Sequence, residues 1–356
     1  MNRGNIGVLP RTTSLADESY LEFVETFRVM NFTKMFPVFS EVANKEVEEK
    51  IGKTDDSVSL EQIKSVVGKV PITISWQRFM RSHQEMMWRR VCSSFKVIQD
   101  EHLAGLGDAE TKGQGTLSYE KDFHIPDYAR REIHLQPGGY TDDPMGGIVY
   151  HYGTKTFYQG YNDQDEHHIE FVNLAATPTD GKTDRILDIA CSIGQCTTNL
   201  KKRFPEAEVT GLDVSLQLLR YAHKFAVDND MNINYTQALA ENTDYEENHF
   251  DMIFVYLLFH ETPVDITIKI VNEMFRILRP GGVFSIFEFP NMNQGLPPAT
   301  RYLIDYDSNN NCEPYSPGFV ACDFLQILQD AGFTTEPGGS SSNHFLQTVI
   351  ATKPIS

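Results

Sequence analysis

The fold is decided by residues 185–200, RILDIACSIGQCTTNL, in which a short apolar run leads into small residues and then a polar helical pattern. This order predicts a strand that ends near Ala190, a tight turn that closes at Gly194, and a helix that begins at Gln195. Small residues let a ligand approach the backbone, and a helix N-terminus offers free N–H groups and partial positive charge. The stretch therefore predicts the ligand-binding turn of an open α/β sheet.

Strand-like and helix-like runs alternate from residue 182 onward, which is typical of a parallel sheet with crossover helices. A tight helix end at Gly332, a short strand at 333–336 and a final strand within 342–354 predict an antiparallel hairpin that closes the sheet. The other predicted strands are 185–190, 208–213, 233–237, 250–258 and 283–289, and the predicted helices are 195–204, 216–228, 264–278 and 319–330.

The chain before residue 182 has a different pattern. From Ser14 to about Glu110 apolar residues recur at helical spacing, which predicts a layer of helices. Residues 119–161 are aromatic and Gly-rich without a clean period, and we expect an ordered loop there. The expected domains are a helical cap or dimerisation domain, an aromatic bridge that acts as a substrate lid, and an α/β domain, over residues 1–118, 119–181 and 182–356.

Composition excludes several classes of partner. The 356 residues carry 31 Lys and Arg against 49 Asp and Glu, a net charge of −18, which argues against nucleic acid and anionic membranes as partners. The start of the chain lacks the apolar stretch of a secretory signal, and the longest apolar run, 253–259, is too short to span a bilayer. The five cysteines form no Cys-x-x-Cys pair. We therefore expect a cytoplasmic protein without a metal site.

A second strand end adds to the predicted ligand site. Asp213 ends the second predicted strand, 25 residues after Asp188, where a carboxylate can accept hydrogen bonds from a ribose diol. A dinucleotide fingerprint requires G-x-G-x-x-G, but this turn contains only Gly194. The residues therefore favour an adenosine-type cofactor and make nicotinamide binding the poorer alternative.

Four segments in order resemble the motifs of class I S-adenosylmethionine-dependent methyltransferases, in particular the ubiquinone/menaquinone C-methyltransferase-like branch. The segments are RILDIACSIGQCTTNL (185–200), EVTGLDVS (208–215), ENHFDMIFVYLLFHE (247–261) and EMFRILRPGGVF (273–284). The resemblance implies a Rossmann-like sheet of seven strands with an antiparallel last strand, behind the helical N-terminal domain. It also implies methyl transfer by direct in-line displacement, with S-adenosylmethionine as cofactor and S-adenosylhomocysteine as product.

The same resemblance implies a set of cofactor-binding residues. Asp213 would bind the ribose hydroxyls, and Asp188 would orient the turn around the methionine part. Ala190 and Ser192 stand where the family has glycine, and Leu239 stands where it has an adenine-contacting Asp. The full set is Asp188, Ala190, Cys191, Ser192, Gly194, Asp213, Val214, Ala240, Glu241 and Tyr256.

Polar residues at two further strand ends are candidates for the chemistry. His260 and Glu261 follow the fourth predicted strand, and Glu288 lies at the end of the fifth. His260 has an intrinsic pKa suited to a base, which either carboxylate could orient. Tyr152 is a further catalytic candidate, and Tyr150, Tyr158 and Tyr161, with His260, are the expected substrate-binding residues of an aromatic lid.

The expected acceptor is a small molecule, because the cap and the aromatic bridge would enclose it, and its methylated atom (C, O, N or S) stays open. A homodimer through the N-terminal helices is possible. Three alternatives remain: an NAD-dependent oxidoreductase, a cofactor-binding enzyme that does not methylate, and a non-catalytic partner subunit.

Overall fold

The N-terminal part of the chain is helical, as predicted. The structure is a computed structural model that describes residues 3–291, 295–339 and 346–355. A two-stranded hairpin, β1 (Asn5–Ile6) and β2 (Leu9–Pro10), comes first, and a π-helical turn at residues 31–35 joins the first two helices. The five helices are α1 (Leu15–Met30), α2 (Phe36–Ile51), α3 (Leu60–Val67), α4 (Pro71–Lys96) and α5 (Gln99–Ala109).

A short strand, β3 (Leu117–Ser118), ends the expected cap, and the aromatic, Gly-rich bridge contains two α-helices, α6 (Gly146–Phe157) and α7 (Glu166–Leu174). The expectation of a loop is therefore wrong over α6. Its glycines serve close packing: a Cβ on Gly147 would lie 2.3 Å from the Tyr221 side chain, and one on Gly153 would lie 2.5 Å from the Trp88 ring. Helix α6 is consequently pressed between α4 and the sheet domain.

The sheet has eight strands among the described residues, in the order β3-β6-β5-β4-β7-β8-β10-β9. Strands β3 to β8 run parallel, and β10 is antiparallel to both β8 and β9, so the predicted Rossmann-like sheet with its closing hairpin is confirmed. The eighth strand, β3, comes from the last two residues of the expected cap. The strands are β4 (Arg185–Ile189), β5 (Glu208–Asp213), β6 (Asn234–Gln237), β7 (Phe250–Tyr256), β8 (Leu278–Glu288), β9 (Thr334–Pro337) and β10 (Gln347–Thr352).

The helices of the sheet domain follow the prediction, with two differences. Residues 319–330 do not form one helix, because the Asp323 side chain accepts a hydrogen bond from the Gln326 N–H and starts a new helix there. A helix at 298–310 was not predicted. The first part of the predicted tail strand, 342–345, lies outside the described residues. The helices are α8 (Gln195–Arg203), α9 (Leu216–Asp228), α10 (Val264–Ile277), α11 (Pro298–Asn310), α12 (Ser316–Ala321) and α13 (Phe324–Asp330).

Helix α11 ties the sheet domain to the cap. Phe39 and Trp76 stack with ring centroids 4.6 Å apart, and Tyr306 of α11 lies 5.3 Å from the Trp76 ring. Tyr302 of α11 receives a hydrogen bond from Gln77. The cap thus shares one buried core with α11, which begins more than 200 residues after Trp76 in the chain. Within the described part of the chain, no helix combines the length and apolar character needed to cross a bilayer.

Candidate functional site

A cavity of about 760 Å³ lies where the carboxyl ends of β4, β5 and β7 face the cap. Ligands of open α/β sheets bind outside this edge, so the position is the expected one. The sheet contributes Asp188 and Asp213 at one end of the cavity and His260 at the other. Helices α1, α4, α6 and α11 contribute to the opposite wall, together with bridge residues such as Tyr128 and His134.

The turn after β4 adopts the backbone of a glycine turn although two of its residues are not glycine. Ala190 and Ser192 both have φ of +52°, in the left-handed region that L-residues seldom occupy. That conformation costs roughly 1–2 kcal/mol for each residue with a side chain. The backbone at Ala190 and Ser192 therefore has the left-handed conformation that favours glycine, although both residues carry side chains.

Asp213 is held with its carboxylate at the cavity. The backbone N–H groups of Ser192 and Ser215 each donate to it, at 2.8 Å to separate oxygens. Burial raises its pKa to about 6, although these backbone hydrogen bonds act in the opposite direction. A carboxylate has about four acceptor sites, so two remain for the two hydroxyls of a ribose. These two free acceptor positions fit the ribose hydroxyls in the adenosine part of S-adenosylmethionine.

Asp188 is buried beneath the same turn. The Thr197 hydroxyl donates to its carboxylate at 2.6 Å, and burial raises its pKa to about 7. Glu241 lines the cavity and accepts a hydrogen bond from Tyr128 of the bridge, so the bridge contacts this part of the cavity directly. The other predicted cofactor residues that line the cavity are Ala190, Cys191, Ser192, Val214, Ala240 and Tyr256.

Gly194 lies behind the turn and does not line this cavity, and its predicted contact with the cofactor stays a prediction. It is the N-cap of α8 with φ of +78°, and a Cβ there would come 2.5 Å from the Tyr235 hydroxyl. A side chain would therefore collide with the core. Gly194 shapes the turn from behind.

The acceptor end of the cavity is organised by a buried ion pair. His260 Nδ1 lies 2.7 Å from Glu288 Oε1, and the N–H of Phe259 donates to Glu288 Oε2 at 2.7 Å. Burial alone would lower the pKa of His260, but the Glu288 carboxylate raises it to about 9. The ion pair therefore favours the protonated form of His260, and its role as a base or as a substrate contact stays a prediction.

Glu288 is fully buried and does not line the cavity. Its oxygens face His260 and the backbone N–H groups of Phe259 and Phe289, the arrangement expected of a carboxylate that orients His260, and its role in the reaction stays a prediction. Glu261 does line the cavity, and burial raises the pKa of its carboxyl to about 7.

Of the four tyrosines predicted for the aromatic lid, three line the cavity and one is packed in the core. Tyr150, Tyr158 and Tyr161 line the cavity, and the Tyr158 hydroxyl lies 2.7 Å from that of Tyr256. Tyr152 does not: it is fully buried beside the Phe95 ring, with centroids 5.6 Å apart. The expectation of a catalytic Tyr152 is therefore wrong, since its side chain is packed in the core between α4 and α6.

Several cavity residues were missed by the sequence analysis, and two of them form an ion pair. His134, in the bridge, places its Nδ1 2.7 Å from the Glu313 carboxylate, and Glu313 follows α11. Neither belongs to a recognisable motif, and the only signal was the composition of the bridge around His134. Among the described residues, no group of three or more His, Cys, Asp or Glu side chains is arranged to hold a metal ion.

Comparison with known proteins agrees with this geometry. Residues 186–282 match the model of a family described as a methyltransferase domain. An uncharacterized methyltransferase of Synechocystis is 29% identical over 171 residues, 47% of this chain and 73% of that protein. A demethylmenaquinone methyltransferase of Thermus thermophilus is 32% identical over 111 residues, 31% of this chain and 50% of that protein. The chain spans about half the length of several curated relatives that it matches.

A solved phosphoethanolamine N-methyltransferase 2 of Haemonchus contortus, in complex with S-adenosyl-L-methionine, is similar at 16% identity. The TM-score is 0.47, and the match covers 67% of this chain and 62% of that one. The matched family model and the two curated relatives are methyltransferases, so the oxidoreductase alternative is not favoured. From its motif order, its sheet topology and the family match, the chain carries a methyltransferase domain of the class I S-adenosylmethionine-dependent family.

Proposed function

We propose that the enzyme transfers a methyl group from S-adenosylmethionine to a small molecule enclosed between the sheet and the helical cap. The observation that carries this proposal is the continuity of the cavity. It runs from Asp213 to His260 and is covered on the side opposite the sheet by residues of the cap and the bridge. These covering residues include Trp88 of α4 and Phe157 of α6, whereas a macromolecular acceptor needs an open surface. The methylated atom stays open among C, O, N and S.

Residues at the Asp213 end of the cavity bind the cofactor, and those at the His260 end face the acceptor. S-adenosylmethionine supplies an electrophilic methyl group on a sulfonium sulfur. Asp213 binds the ribose hydroxyls, Asp188 stabilises the turn, and Ala240 and Glu241 lie beside the adenine. The fixed positions of these groups align the methyl group with the acceptor, which is the main requirement of an in-line displacement.

The aromatic residues of the bridge exclude water and face the positive sulfur. Tyr150 and Tyr158 lie on the cavity wall between the two ends, and the Tyr256 ring stacks on Phe171 with centroids 4.8 Å apart. A cation beside aromatic rings is stabilised by their negative faces. Tyr150, Tyr158 and Tyr161 are the proposed substrate-binding lid.

Methyl-labelled S-adenosylmethionine tests the acceptor class. The purified chain is incubated with an extract of the cells that make it, and the products are separated into small-molecule, protein and nucleic-acid fractions. The proposal predicts label in the small-molecule fraction and its loss with Asp213→Ala. Label confined to protein or nucleic acid would contradict it.

The organisation of the chain is also a proposal. A cap at residues 1–118, a lid at 119–181 and a methyltransferase domain at 182–356 agree with the observed elements, with α11 adding to the cap. Pairing of two chains through the N-terminal helices is supported by exposed apolar side chains on α1, α2 and α4, namely Phe23, Val38 and Ile74. Sedimentation of the full chain tests it, and a monomer at micromolar concentration would contradict it.

A further inference from the structure

Two imidazole rings from distant parts of the chain face the same carboxylate. Glu261 Oε1 lies 3.8 Å from His260 Nε2 and 3.9 Å from His134 Nε2. Both distances exceed a hydrogen bond, so each pair is in electrostatic contact without a direct bond. The other ring nitrogens are held at 2.7 Å by Glu288 and Glu313. The two Nε2 atoms are thereby aimed toward one region of the cavity.

The position of His134 is maintained against backbone strain. Its φ is +55°, in the left-handed region, and Leu135 follows with φ of +58°. The Trp88 indole N–H and the Gln84 amide both donate to the His134 carbonyl oxygen, at 2.7 and 2.6 Å. Strained residues that the surrounding structure holds in place cluster at functional sites. Helix α4 therefore fixes the ring of His134 at the cavity.

The charge of this cluster favours donors on both rings. Burial acts to lower the pKa of His134, but the Glu313 carboxylate raises it above its usual value. Glu313 is 4% exposed, and its second oxygen has no hydrogen-bond partner among the described residues. The Nε2 atoms of both rings face the Glu261 carboxylate, so an Nε2 hydrogen on either ring lacks an acceptor at hydrogen-bond distance there.

We propose that His134 and His260 donate their Nε2 hydrogens to one oxygen of the methyl acceptor, and that Glu261 receives the proton of that oxygen. The acceptor is then a compound with an acidic hydroxyl on an unsaturated carbon, as in a phenol or an enol. His134 and Glu313 are accordingly added to the site, His134 as a catalytic residue and Glu313 as its positioning residue. This inference rests on the proposed function.

The proton transfer leaves the charge of the cluster unchanged. The hydroxyl proton moves to Glu261, the electron pair stays on the acceptor oxygen, and one negative charge passes from the carboxylate to that oxygen. A carboxyl with a pKa near 7 suits this exchange at neutral pH. The neighbouring titratable groups are Tyr140 and Tyr150, whose pKa values burial raises, and Asp307, which interacts with Arg28.

The ionisation of a bound phenol tests this inference without turnover. The probe is 4-nitrophenol, whose phenolate absorbs visible light, added to the full chain loaded with S-adenosylhomocysteine. The pH of half-ionisation should lie at least one unit below that of the free probe, a tenfold change in its ionisation constant. The methyl ether 4-nitroanisole, which cannot ionise, should bind at least tenfold more weakly.

Two variants and a control assign the effect to the histidine pair. His134→Gln and, in a second protein, Glu313→Gln should return the half-ionisation pH toward the free value, whereas Glu120→Gln, on an exposed residue, should behave as wild type. Absence of binding, binding of the neutral phenol, or equal ionisation in wild type and both variants would overturn the inference. Calorimetry of S-adenosylhomocysteine on the same samples separates this failure from that of the proposed function, which predicts cofactor binding in all of them.

Discussion

The two ends of the cavity are built from the chain in different ways. The cofactor end uses neighbouring strand ends within residues 188–241, where β4, β5 and the segment after β6 follow one another. The proposed acceptor end brings together His134 of the bridge, His260 in the turn after β7, Glu288 at the end of β8, and Glu313 beyond α11. The cofactor end thus depends on local turns, whereas the acceptor end depends on the docking of cap and bridge onto the sheet. The two ends should therefore respond separately to substitution.

The largest expected effect is on the buried pair at the acceptor end. Glu288→Gln leaves the His260 imidazolium without its counter-charge and should lower the free energy of unfolding by about 3–5 kcal/mol at pH 6. Because the folded-state pKa of His260 is raised to about 9, the stabilisation is complete below pH 6.5 and is lost as the pH rises through 9. Urea unfolding at pH 6 and at pH 10 measures both effects.

The wild type should therefore lose more stability than Glu288→Gln between these two pH values. Glu120→Gln, which makes the same chemical change at an exposed position, is the control. An equal pH dependence in wild type and Glu288→Gln would show that the pair does not contribute to folding.

The next effect concerns turnover. His260→Ala removes a donor aimed at the acceptor and should lower kcat by about 10²–10³-fold, as removal of one preorganised donor does in other enzymes. The dissociation constant of S-adenosylhomocysteine should change by less than about twofold, because His260 lies at the other end of the cavity. Steady-state kinetics and calorimetry test the two parts, with the exposed His124→Ala as control. A parallel loss of cofactor affinity would mean that the two ends are not separable.

The third prediction concerns a substitution at the cofactor end of the cavity, Asp213→Ala. Asp213→Ala leaves the ribose hydroxyls and the N–H groups of Ser192 and Ser215 without their acceptor, and should weaken cofactor binding by roughly 1–3 kcal/mol. Calorimetric titration with S-adenosylhomocysteine measures this loss. Asp108→Ala, on the exposed surface of α5, removes the same charge far from the cavity and should bind normally. Unchanged affinity in Asp213→Ala would remove the ribose assignment.

The smallest effect tests the strained turn. Ala190→Gly relieves a left-handed residue worth roughly 1–2 kcal/mol. The gain is partly offset by the greater freedom of glycine in the unfolded chain, about 0.4–1 kcal/mol. A net stabilisation of up to about 1 kcal/mol is expected in urea unfolding. Ala104→Gly, at an exposed position of α5, should instead destabilise the protein, and an equal loss in both variants would contradict strain at Ala190.

The contrast between the two ends also explains what the sequence could predict. Asp188 and Asp213 stand directly after apolar runs, so their position at the cavity follows from the strand pattern alone. The hairpin of β9 and β10 was predictable for the same reason. These features depend on residues close together in the chain.

Features that depend on distant packing were missed. The glycines of α6 indicated a loop because their partners, Tyr221 and Trp88, lie far away in the chain. Side chains two residues apart on an α-helix point in directions about 200° apart. Because the helix itself was not predicted, Tyr150 and Tyr152 could not be assigned to opposite sides of it. His134 was missed likewise, because its strained backbone is held by α4.

Ligand-dependent stabilisation tests the central claim most directly. The full chain is unfolded in the presence of S-adenosylmethionine, S-adenosylhomocysteine or NADH, in wild type and in Asp213→Ala. A ligand at a hundred times its dissociation constant should stabilise the wild type by about 2.7 kcal/mol. The account predicts this gain with the two sulfur compounds, a smaller gain at the same concentrations in Asp213→Ala, and none with NADH. Stabilisation by NADH alone, or by none of the three, would contradict it.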